Sequence, residues 1–139
     1  MTKYRLVRQL DEWGCGVACA ASLLGISYKK AKEALIEIKG NDIDGKPCGL
    51  SLRALSKLIT SHKAIYGGTQ DIIRWPIGTI AFLSEESGRY QGSGHYILKT
   101  PDGWMDPWAN PETWPSQAKF RARLPANTTI QAALVPRAG

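Results

Sequence analysis

The chain has 139 residues, 43% of them apolar and 22% charged, and a formal net charge of +6. That is the size and composition of one globular domain, 1–139, and it excludes disordered, collagen-like and coiled-coil chains. The best candidate for a membrane span, Gly16 to Ile26, is too short, and charges at Lys3, Arg5, Arg8, Asp11 and Glu12 interrupt any signal peptide, so a cytoplasmic protein is expected, with delivery as an effector left open.

Cys15 to Leu24 is rich in Ala, Leu and small residues and ends at Gly25, which predicts a helix with a glycine C-cap. Ser27 is the expected N-cap of a second helix, Tyr28 to Lys39. There Ala31, Ala34, Leu35 and Ile38 recur at helical spacing, and Gly40 follows. Asn41 to Gly49 is a polar loop with Asp44-Gly45 and Pro47 as turn signals. Ser51 opens a third helix to about Ser61, with Leu52, Leu55, Leu58 and Ile59 on one face. The pattern then changes. Lys63 to Tyr66 reads as a short strand, Thr69 to Ile73 as one helical turn, and Gly78 to Leu83 as a buried strand. His95 to Lys99 and Trp104 to Asp106 flank Thr100-Pro101-Asp102-Gly103, a hairpin loop that pairs residue 99 with 104. Lys119 to Leu124 and Thr129 to Val135 are two further strands. A helical half followed by an antiparallel β half is an α+β fold, with a cleft expected where the halves meet.

Cys15 stands at the first turn of its helix between Gly14 and Gly16. A helix N-terminus carries a partial positive charge, which favours thiolate over thiol, and the glycines leave room for a substrate backbone. Cys19, one turn on, reads as core, Cys48 lies in a loop, and His62 reads as a surface residue. His95 opens an apolar strand after Gly92-Ser93-Gly94, and histidine is the usual base for a thiol nucleophile. Asp106 closes the partner strand of the same hairpin, within reach of His95, where a carboxylate fixes the imidazole tautomer. Gln9 precedes Cys15 in the loop leading to the helix. Its amide NH₂ beside the Cys15 backbone N–H would make an oxyanion hole, in which each donor is worth roughly 3–4 kcal/mol. Trp13, Gly14, Gly94, Trp104 and Trp108 are the expected substrate-binding residues around this site. Taken singly, each residue has a plain structural explanation. Their order, Cys then His then Asp, is the papain-like order. Three cysteines without Cys-x-x-Cys, and two histidines, give neither a disulfide framework nor a zinc site, so no metal or cofactor is expected.

The run from Val7 to Cys19, VRQLDEWGCGVAC, resembles the start of the papain-like cysteine peptidases that process bacteriocin precursors after a double-glycine leader. His95-Tyr96-Ile97-Leu98 and Asp106-Pro107 are similar to that family's His and Asp-Pro motifs. The resemblance covers about residues 4 to 110. It implies a papain-like fold, a cysteine peptidase or amide hydrolase, a Cys15–His95–Asp106 triad with Gln9 as oxyanion donor, and a peptide or protein substrate; the family's domains precede a transporter, whereas a stand-alone domain is expected here. Gly14 stands where the family often has an acidic or polar residue. The segment with Pro111, Trp114 and Pro115 has no counterpart in the family.

Two other readings use the same residues. One is a papain-like toxin with different chemistry: RNA cleavage, with His95 as acid/base and lysines holding phosphates, or deamidation or acyl transfer. The other is an inactive module that holds a peptide in a groove lined by Trp13, Trp104 and Trp108. An exporter or a small immunity protein is the partner that the peptidase and toxin readings respectively imply. Nucleic acid is compatible with the charge, although the basic residues are scattered.

Overall fold

The computed structural model describes residues 4–11, 13–39, 51–67, 74–84, 95–110, 113–125 and 128–137. Helix α1 (Cys15–Leu24) ends where Gly25 turns left-handed at φ 69°, returning its N–H to the carbonyls of Ala21 and Ser22. Helix α2 (Tyr28–Lys39) starts at Ser27, whose Oγ accepts the Lys30 N–H at 3.1 Å. Helix α3 (Leu52–Leu58) starts in the same way at Ser51, which accepts the Ala54 N–H at 3.1 Å. It is shorter than the expected run to Ser61. Ile59 leaves helical geometry at ψ 77° and is buried, and its carbonyl accepts the His62 N–H as the chain turns into a strand.

Strands β1 (His62–Tyr66), β2 (Ile80–Ser84), β3 (His95–Thr100), β4 (Gly103–Asp106), β5 (Lys119–Arg121) and β6 (Thr129–Pro136) form one sheet in the order β1-β6-β2-β3-β4-β5. Every neighbouring pair is antiparallel. The β3–β4 hairpin pairs Lys99 with Trp104, in the expected register. The last strand by sequence, β6, inserts between β1 and β2. The fold is α+β.

The sheet is covered on both faces. One face brings Ile80, Tyr96, Leu98, Met105, Ala132 and Leu134 into a core with Val17 and Ala18 of α1, Leu35 of α2 and Leu55 of α3. The other gathers Ala81, Leu83, Ile97 and Trp104 with Trp75, Leu124 and Ile130. Burial on both sides explains why β2 reads as an unbroken apolar run rather than an alternation.

Further expectations are corrected. His62 is not a surface residue: it is buried at the start of β1, with one ring nitrogen 2.8 Å from Ser61 Oγ and Nε2 2.8 Å from the Gly78 carbonyl. The strand expected over Lys119 to Leu124 stops at Arg121, and Leu124 turns into the second core. The loop at Asn41 to Gly49, the turn at Thr69 to Ile73, Cys48 and Gly94 lie outside the described residues. Among the described residues no helix is long and apolar enough to cross a membrane.

Candidate active site

Cys15 is the first residue of α1, so the unpaired N–H groups of the helix start surround its backbone. The loop before it is held by a small polar network. The Gly14 N–H donates to the Asp11 carbonyl at 2.9 Å. Tyr28 Oη donates to Asp11 Oδ2 at 2.8 Å, and Lys32 Nζ lies 3.1 Å from Oδ1. Lys32 also sits over the half-buried Trp13 ring, 5.4 Å from its centroid. A Cβ at position 14 would run into the Tyr28 hydroxyl, which accounts for glycine before the cysteine.

Helix α1 packs against β3, and this contact brings the cysteine to the histidine. The Tyr96 N–H points at Cys15 Sγ across 3.4 Å. The His95 imidazole is hydrogen-bonded to Cys15, and its Nε2 lies 2.7 Å from Asp106 Oδ1. An ionised carboxylate only accepts, so Nε2 carries the proton in that bond. His95 is buried, which by itself lowers its pKa. The hydrogen bonds to Asp106 and Cys15, and the charges of both, outweigh burial and raise it to about 9.

Asp106 is fully buried and takes three donors. Oδ1 accepts the Trp108 N–H at 3.1 Å as well as His95, and Oδ2 accepts Arg121 Nε at 2.9 Å. Burial pushes this carboxyl up, but the hydrogen bond and charge of His95, the Trp108 N–H and the Arg121 charge hold it below the usual range.

Gln9 is buried beside the same strand end. Its N–H donates to the Pro107 carbonyl at 3.2 Å, its carbonyl accepts Ser116 Oγ, and its side-chain Nε2 donates to the Asp11 carbonyl at 3.0 Å. The amide is thus tied into the loop that enters α1. Trp104 and Trp108 have different surroundings. Trp104 packs into the second core and carries the Lys99 ammonium 5.2 Å over its ring. Trp108 donates Nε1 to the carbonyls of Asn110 and Thr113 and meets Trp114 edge-on at 5.3 Å. Among the described residues of the Trp- and Pro-rich segment, Trp114 thus packs on Trp108 and Ser116 donates to the Gln9 carbonyl.

An apolar groove of about 360 Å³ on the helical face of the sheet is lined by Ser51, Leu52, Tyr66, Phe82, Tyr96, Gln131 and Ala132. Tyr96 joins it to the cysteine. Cys19 is fully buried in α1, and burial, with the nearby charges of Cys15 and Asp106, pushes its thiol well up. Asp11, Tyr28, Lys32, Ser116 and Arg121 escaped the sequence reading. The one available signal was Asp106 itself, since a buried carboxylate with two oxygens needs more donors than one histidine.

No protein-family model matches the chain, and no curated protein matches it significantly. A solved structure does: that of a double-glycine motif protease from an AMS/PCAT transporter, in complex with the leader peptide. The alignment covers 98% of this chain and 94% of that one, with a TM-score of 0.51 and 13% sequence identity. The likeness is one of fold, and the fold is that of a papain-like peptidase domain.

Proposed function

We propose that this chain is a cysteine peptidase or amide hydrolase acting on a peptide. The observation that supports it most strongly is the continuous line from Cys15 Sγ through His95 to Asp106, inside a fold shared with a peptidase. With the proton shared by the Cys15–His95 pair resting on the imidazole, Cys15 Sγ attacks a substrate carbonyl carbon. The C=O π electrons move to oxygen, and the oxyanion is met by the Cys15 backbone N–H and the Gln9 side-chain amide. As the intermediate collapses, the C–N bond breaks and His95 gives its proton to the leaving nitrogen. A water activated by His95 then cleaves the thioester and restores the thiol. Asp106 stays ionised throughout, orienting the ring and stabilising its charged form.

The apolar groove at Tyr96 fits apolar side chains of an extended or helical peptide leading to the scissile bond. The related protease was solved with a leader peptide bound, and a double-glycine leader is therefore the first substrate to test. Native protein, Cys15→Ser and His95→Ala are incubated with a panel of leader peptides, and products are read by mass spectrometry. Cleavage by the native protein alone supports the proposal. Equal product from native protein and Cys15→Ser, or no cleavage and no covalent peptide adduct, refutes it.

A further inference from the structure

We propose that Arg121 is a positioning residue of this site: it holds the Asp106 carboxylate in place and shares its charge, and so sets how tightly His95 keeps the proton it exchanges with Cys15. The inference rests on Cys15 and His95 acting as nucleophile and base, and extends that site to a fourth residue from the edge strand.

In the β4–β5 ladder Arg121 stands opposite Trp104. Residues two apart on a strand share a face, so its guanidinium reaches Asp106 diagonally across the pair. Nε lies 2.9 Å from Oδ2, and the Arg121 side chain is only 19% exposed. Oδ1 is already occupied by His95 and the Trp108 N–H. Without Arg121, the second oxygen of a fully buried carboxylate would lose its only described charged donor. The close approach of the two strands is built into the chain: Gly103 adopts φ 111°, and a Cβ there would run into the Arg121 carbonyl.

Among the described residues, the titratable and charged groups that act on the His95–Asp106 pair are Cys15 and Cys19 from α1 and Arg121 from β5. With the proton on His95, charges alternate along Cys15, His95, Asp106 and Arg121. A carboxylate facing His95 alone would hold the imidazolium proton harder. Arg121 draws off part of that attraction and leaves His95 able to deliver the proton to a leaving nitrogen. A bond to Oδ2 from the opposite side also keeps the carboxylate plane fixed when the ring moves.

The test uses the full chain and needs no substrate. The His95 ring is followed by NMR through a pH titration in native protein, Arg121→Met and Arg121→Lys. Arg121→Met is expected to move the His95 inflection upward by about half to one pH unit, and Arg121→Lys to bring it back towards the native value. The alkaline limb of kcat/KM for a cleaved peptide is expected to follow. If Arg121→Met fails to fold, Arg121→Gln keeps a donor for Oδ2 without the charge and carries the same expectation. An unchanged His95 inflection in the charge-removing variant overturns the proposal. Failure of the native protein to cleave any peptide would instead count against the peptidase reading, and the titration would still judge Arg121.

Discussion

The Tyr96 amide lies 3.4 Å from Cys15 Sγ, across a sequence separation of 81 residues. That contact joins the start of α1 to the start of β3, and it places the histidine preceding Tyr96 against the same sulfur. Every expected behaviour of the site follows from this junction and from the carboxylate behind it.

Thiol chemistry should be selective. Cys15 is partly exposed beside His95, whereas Cys19 is fully buried and its thiol is pushed up by burial. Brief treatment with iodoacetamide, followed by peptide mapping, should label Cys15 and leave Cys19 unmodified until the protein is unfolded. Equal labelling of the two in folded protein would contradict the placement.

Loss of Asp106 should cost both rate and stability. Asp106→Ala removes the acceptor for His95, Arg121 and the Trp108 N–H together. Two cationic groups then face each other without their counter-charge, at a cost of about 2–4 kcal/mol in urea unfolding. Activity should fall by about a hundredfold or more because the imidazole loses its orienting partner.

The pH dependence has a defined sign. The folded-state pKa of His95 is raised from 6.5 to about 9. Its stabilising contribution is therefore fully present below pH 6.5 and is lost as pH rises through about 9. The same deprotonation removes the general acid, so kcat/KM should fall above about pH 9. His62 works the other way: burial lowers its pKa from 6.5, so protonation as pH falls below that value favours the unfolded chain. Unfolding free energy measured across pH, in native protein and in His95→Ala, should show the alkaline loss in the first and not in the second.

Gly14 should couple to Tyr28. Gly14→Ala places a Cβ against the Tyr28 hydroxyl and should destabilise by about 1–3 kcal/mol. Tyr28→Phe alone loses the bond to Asp11 and should cost about 1 kcal/mol. In urea unfolding the double variant should be more stable than the sum of the two predicts, because the hydroxyl that obstructs a methyl group at position 14 is gone.

Much of this is legible in the sequence. Ser27 marked the start of the second helix, the Gly25 cap was clear, and the short hairpin loop after Lys99 fixed which residues of β3 and β4 face each other. His95 and Asp106 come together through that local pairing. The remaining partners of the carboxylate were hidden because they depend on long connections. Arg121 reaches Asp106 only after the chain has looped through Trp108 and Trp114, and its register on β4 is set by packing rather than by a turn. Ser116 finds Gln9 from 107 residues away. His62 misled for a related reason. Its helix-flanking position looks exposed, but β1 turns it inward, where Ser61 and the Gly78 carbonyl satisfy the ring.

The dependence of Cys15 on His95 is tested most directly with a leader peptide ending in an electrophilic ketone, its reaction timed by intact-protein mass spectrometry at about neutral pH. Native protein should gain one peptide, mapped to Cys15, and His95→Ala should react at least about a hundredfold more slowly. An adduct at Cys15 that forms equally fast without the imidazole, or one that maps to another residue, would contradict the account.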